Sequence, residues 1–176
     1  GFAEYALRAE AGLELYLDKI LTAMLASVKE GLQASGVLPG RLKMERAAKA
    51  MLLQAGTIED EAERMKMKLA AYAYAEQNAS AGTVVTAPTL GSCGVMAALM
   101  YYYYNDQQIT RGKLVKALAV AGLFGNLIKT NATISGAVGG CQAEIGAACA
   151  MAAAAAAYLN SMNCGQIEYA AEIGME

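Results

Sequence analysis

The tightest limit on the fold of this chain comes from "GAACAMAAAAAAYL", residues 146–159. Alanine has the highest helix propensity of any residue, so the run favours helix strongly. It has little volume, however, and fills a core only if neighbouring helices approach closely along it. A thin helix packed through small side chains is the expected result. The transmembrane alternative is weaker, because alanine contributes little transfer energy and Asn160, Ser161, Asn163 and Gln166 interrupt the apolar stretch.

The rest of the chain agrees with an all-α reading. It has 176 residues, two prolines and no tryptophan. That length supports one domain with a real core. Apolar positions recur at helical spacing over about 3–34 (Leu13, Leu17, Ile20, Leu21, Met24, Leu25, Val28). Gly36, Pro39 and Gly40 break that helix. A second helix is expected from about Leu42 to Gln54. Thr57, with Asp60 three residues on, reads as the cap of a third that runs to about Asn78. "SAGTVVTAPTLGSCG" is the clearest non-helical stretch, with Val84, Val85 and Thr86 as a short extended piece. Further helices are expected over about 92–104, from the Thr110 cap to about Lys129, over about 140–159, and from near Gln166 onward. The expected architecture is a single compact helical domain, residues 1–176, of about six to eight helices with glycine-rich hinge loops.

Composition narrows the function. A net charge of −2 with 17% charged residues provides no basic face for nucleic acid. The N-terminus is charged from Glu4 onward and reads as an amphipathic helix rather than a signal peptide. A cytoplasmic, non-membrane protein is therefore expected, with Cys93, Cys141, Cys149 and Cys164 as thiols or metal ligands. With no histidine, the chain supplies neither a Ser-His-Asp triad nor a Cys-His pair.

Three features could carry chemistry. Lys129 precedes a Ser/Thr/Asn/Gly hinge and, if buried, would suit a Schiff base. The simpler reading is a cation at a helix C-terminus, with no pyridoxal phosphate. "GSCG" and "SGAVGG" each precede a helix, where free N–H groups suit an anion, or else the glycines only make the turn. Cys141 stands at or near a helix start, a place that favours a thiolate ligand, but one cysteine needs partners from elsewhere. Cys149, eight residues on, lies about 12 Å further along a helix and cannot share one ion with it. The four consecutive tyrosines Tyr101 to Tyr104 circle a helix, so at least one hydroxyl should find a buried partner or meet another domain.

Four ordered segments carry a resemblance. "GVLPGRLKM", "TVVTAPTLGSCGVMAAL", "KTNATISGAVGGCQAEIGAACAMAAAA" and "AAEIGME" are similar to the catalytic (α) domain of bacterial iron–sulfur L-serine dehydratases, over about residues 36–176. The resemblance implies deamination of L-serine to pyruvate and ammonia, in amino-acid degradation and gluconeogenesis, with a [4Fe–4S] cluster and without pyridoxal phosphate. It implies that Cys141, in Gly140-Cys141-Gln142, is one of three cysteine ligands. The other two belong to Cys-Asp-Pro and Pro-Cys-Ile-Glu-Arg segments that follow "AAEIGME" in the family, beyond this chain. Lys129, Asn131, Ser135 and Gly136 are the implied pocket lining. The acid/base group is expected in a β domain or subunit that carries a Ser-Ser-His-Thr segment. Cys93 matches no ligand, and Leu90 replaces a residue that is often small or polar in the family. A homodimer is expected from apolar surface left where the missing parts dock. The chain alone is expected to be inactive. Two alternatives stand beside this reading: an iron–sulfur lyase for another amino acid such as L-cysteine, and a non-catalytic helical scaffold subunit.

Overall fold

A computed structural model describes residues 1–75 and 77–176. In chain order the helices are α1 Phe2–Ala9, α2 Leu13–Gln33, α3 Ala48–Ala55, α4 Glu61–Tyr74, α5 Cys93–Asn105, α6 Arg111–Asn131, α7 Gly136–Cys141, α8 Ala147–Leu159 and α9 Cys164–Met175. Among the described residues there is no strand, only one isolated bridge between Val37 and Glu45. The all-α expectation holds, with α7 a short six-residue piece.

The boundaries differ in ways local chemistry explains. The expected helix over 3–34 is two helices, because Gly12 takes a left-handed φ of 83° and turns the chain between α1 and α2. No helix starts at Leu42. Instead residues 36–46 double back on themselves, with the Leu38 N–H donating to the Met44 carbonyl at 2.7 Å and the Arg46 N–H to Gly36 at 3.0 Å. Those backbone groups are spent on the loop, so α3 starts only at Ala48. The cap of α4 is Asp60, whose Oδ1 accepts from the Glu63 N–H at 2.8 Å. The Thr57 hydroxyl donates backward to the Gln54 carbonyl at 2.8 Å and so finishes α3. Helix α4 ends at Tyr74 rather than near Asn78, where a short 3-10 turn stands instead. Glu76, within that expected helix, lies outside the described residues. Val84 to Thr86 form no regular element.

Two clusters make the core. The larger gathers Leu21, Met24 and Val28 of α2 with Met96 and Met100 of α5 and Leu114 and Leu118 of α6. The smaller joins Ala3 of α1, Val120 of α6, Ala150, Ala154 and Ala157 of α8, and Ile167 and Ala171 of α9. The alanine helix therefore packs between α6 and α9, as its thinness requires. By length and composition alone, Gly136–Leu159 would be long and apolar enough to cross a membrane. Here Ala147, Ala148, Ala154 and Ala155 are 0% exposed within the protein. Close approach is enforced by glycine: a Cβ on Gly174 of α9 would lie 2.8 Å from the Cys149 carbonyl oxygen. Polar anchors close the ends. Lys113 Nζ donates to the Leu159 carbonyl at 2.8 Å and satisfies the C-terminus of α8. Arg111 Nη2 pairs with Asp18 Oδ1 at 2.7 Å and ties α6 to α2.

The tyrosine run divides as its periodicity requires. Tyr101 packs edge-on against Tyr72, with ring centroids 4.8 Å apart. The Tyr103 hydroxyl accepts from Asn160 Nδ2 at 2.8 Å, and Tyr104 is exposed.

Candidate functional site

The chain after α6 is built around a break at Gly140. Its φ of 68° and ψ of −163° lie outside the helical region and close to values only glycine adopts easily. Helical backbone resumes at Cys141, with φ −60° and ψ −31°. It widens into a π turn over Gln142–Gly146 and then continues as α8. Cys141 is thus the first residue of a long helical run, as its glycine neighbours suggest, and its thiol is free and exposed. A single wide turn of this kind reorients the side chains that follow.

The side chain that matters most on that turn is Glu144, which is half-buried. Its Oε1 accepts a hydrogen bond from the Thr89 hydroxyl. Thr89 Oγ1 lies 2.9 Å from Ser92 Oγ, and Ser92 Oγ, in a residue 2% exposed, donates to the Ala87 carbonyl at 3.3 Å. The carboxylate also occupies the space that side chains would need at two glycines. A Cβ on Gly91 would lie 2.6 Å from Oε1, and one on Gly136 would lie 2.7 Å from Oε2. The two glycine-rich segments that look independent in the sequence therefore meet at one carboxylate. Neither is an open anion cradle at that point, because a negative group already sits against both glycines.

Gly136 belongs to this assembly, and Cys141 immediately precedes the π turn that carries Glu144. Ser135 precedes α7, half-buried, and its N–H donates to Thr133 Oγ1 at 3.1 Å. Lys129 and Asn131 stand exposed at the end of α6. Lys129 lies beside the carbonyl end of that helix, where its charge is favourable. Asn131 Nδ2 donates to the Leu127 carbonyl at 2.9 Å. Glu144 and Thr89 were missed in the sequence, although "CQAE" holds the acid three residues after the cysteine.

The remaining cysteines lie elsewhere. Cys93 is buried at the start of α5. Cys149 is partly buried, and desolvation pushes its thiol pKa up. Cys164 is exposed at the far end of α9, beside an apolar recess of about 820 Å3 lined by Phe2, Tyr5, Phe124 and Leu127. The opposite end of α9 comes back to the site. Gln142 Nε2 donates a hydrogen bond to the Met175 carbonyl. Among the described residues no three His, Cys, Asp or Glu side chains converge on a metal site. What the chain offers at this place is one accessible sulfur.

The profile of the family described as serine dehydratase alpha chain matches residues 4–176. L-serine dehydratase 2 of Escherichia coli (strain K12) is 40% identical over 179 residues, which cover 98% of this chain and 39% of that protein. L-serine dehydratases of Streptomyces coelicolor and Haemophilus influenzae are 42% and 39% identical, with the same coverage. The chain spans about 39% of the length of these relatives.

Proposed function

The chain belongs to the serine dehydratase alpha chain family, and from that footing we propose that it is the catalytic α portion of an L-serine dehydratase that forms pyruvate and ammonia. The observation that carries the reading is the convergence at Cys141. An exposed thiol opens a helical run, the Thr89–Ser92 loop closes on the same turn, and the end of α9 is tied to the neighbouring Gln142.

The donor set fits one ligand of a shared [4Fe–4S] cluster and not a complete site. Cys141 would hold one iron, and the two other cysteines would come from segments that follow α9 in the full protein. Bound there, the cluster would supply an open iron as Lewis acid for the substrate hydroxyl. The roles left to this chain are binding and orientation. Gly136 lies against the Glu144 side chain that Thr89 also meets, and in this reading Ser135, Lys129 and Asn131 would complete the lining around the substrate. The chain contains no histidine, so in this reading removal of the α-proton falls to the β portion. Val138 and Ile173, 78% and 73% exposed near this end of the molecule, are the apolar surface such a portion would cover. The assembled enzyme is a cytoplasmic homodimer with no membrane or nucleic-acid partner.

Anaerobic iron–sulfide reconstitution of the full-length protein, followed by pyruvate assay with L-serine, L-threonine and L-cysteine, tests this. Turnover of serine above the other two is expected. Preference for cysteine would give the substrate to a different lyase, and no pyruvate from any of the three would leave the chain as scaffold.

A further inference from the structure

Thr89 and Glu144 are far apart in the chain, yet one hydrogen bond joins them, and everything around it is shaped to keep it. Gly91 and Gly136 both lack a side chain where the Glu144 carboxylate sits. Any larger residue at either position would push that carboxylate away from Thr89. The bond itself is a hydroxyl donating to a half-buried carboxyl oxygen. Beyond it the contacts continue through Ser92 to the Ala87 carbonyl, so the hold extends into the loop's buried base. Among the described residues no lysine or arginine pairs with Glu144. Its side-chain partner is a hydroxyl, and the carboxylate fills the space left by two absent side chains. Glu144 lies three residues after Cys141, on the widened turn that Cys141 immediately precedes, so fixing the turn restrains the thiol's backbone.

We infer that Glu144 is a positioning residue that latches the Thr89–Ser92 loop to the helical run that Cys141 opens, holding loop and thiol as one unit. The inference rests on Cys141 being a cluster ligand, and it adds a residue that acts through that ligand rather than on substrate.

The test uses the full-length protein reconstituted with iron and sulfide, with five variants: Cys141→Ala, Glu144→Ala, Glu144→Gln, Thr89→Val and the double variant Thr89→Val/Glu144→Ala. Iron retained per chain after desalting is read alongside kcat and KM for L-serine. Glu144→Ala and Thr89→Val should each weaken iron retention about 10- to 100-fold, the range seen when a ligand's supporting contact is lost. The double variant Thr89→Val/Glu144→Ala should be no worse than Glu144→Ala, because both remove one bond. Glu144→Gln should stay within about twofold of wild type, because its amide oxygen still accepts the Thr89 hydroxyl. If Glu144→Ala does not fold, Thr89→Val, the smaller change, decides alone. Wild-type iron retention in Thr89→Val overturns the latch. So does a Glu144→Gln protein that keeps its iron but has a KM raised more than about tenfold, since that makes Glu144 a substrate contact. A Cys141→Ala protein that holds iron like wild type overturns the ligand reading and the latch together. Loss in Cys141→Ala with none in Glu144→Ala overturns the latch alone.

Discussion

Cys141 and Cys149 are the same residue type eight positions apart, and their surroundings give them opposite characters. Cys141 is exposed where helical backbone resumes after Gly140, whereas Cys149 is partly buried beneath α9 and its thiol is pushed up by desolvation. A raised thiol pKa means less thiolate at any given pH below it, so Cys149 reacts more slowly for two independent reasons. In iron-free protein at mildly alkaline pH, alkylation followed by mass spectrometry should label Cys141 and Cys164 first, Cys149 later and buried Cys93 last. Labelling of Cys149 ahead of Cys141 would contradict the placement of both. Ser27 offers a second residue-scale check. It is 3% exposed on α2, and its Oγ has no hydrogen-bond partner among the described residues. Replacing an unsatisfied buried hydroxyl with hydrogen removes a desolvation cost and raises helix propensity. Ser27→Ala should therefore stabilise the protein by up to about 1 kcal/mol in urea unfolding, and a loss of that size would show a hidden partner.

Among the elements, glycine has opposite meanings on two helices that both pack against α8. Gly125 of α6 faces the flexible end of Met151, where a Cβ would lie 2.8 Å from Sδ. Gly174 of α9 faces backbone, 2.8 Å from the Cys149 carbonyl oxygen. A thioether can turn aside and a helix carbonyl cannot. Gly125→Ala should thus be neutral or gain up to about 1 kcal/mol from helix propensity. Gly174→Ala should cost about 1–3 kcal/mol by forcing α9 outward and should loosen the Gln142 contact to Met175. Thermal melts of the two variants check this, and equal effects would refute it. The helices themselves were legible within a few residues, apart from the start of α8: apolar spacing marks α2, the alanine run marks α8, and the turn ending at the Thr110 cap separates α5 from α6. Their ends were less so. The break at Gly12, the doubled-back loop over 36–46 and the choice of Asp60 over Thr57 as cap depend on which backbone groups find partners. Periodicity carries no record of that.

At the scale of the whole molecule, the fold brings the "TAPTLGSCG" and "SGAVGG" segments to one carboxylate. Cys141 could be singled out from the sequence because Gly139 and Gly140 before it mark a helix start and because the family motif covers it. Glu144 could not, because its role comes from Thr89, a residue 55 positions away whose contact exists only once α5 and α8 have packed. The same packing carries the end of α9 back to Gln142, the neighbour of Cys141. In the proposed reading this chain contributes one thiolate, Cys141, to a cluster completed from outside it. The most direct measurement is iron content and absorbance near ~400 nm, the region of Fe–S charge transfer, in the reconstituted full-length protein with and without Cys141→Ala. Wild type should bind about four irons per chain, and the alanine variant should lose the band while Cys149→Ala and Cys164→Ala keep it. A Cys141→Ala protein with an unchanged band and iron content would contradict the claim.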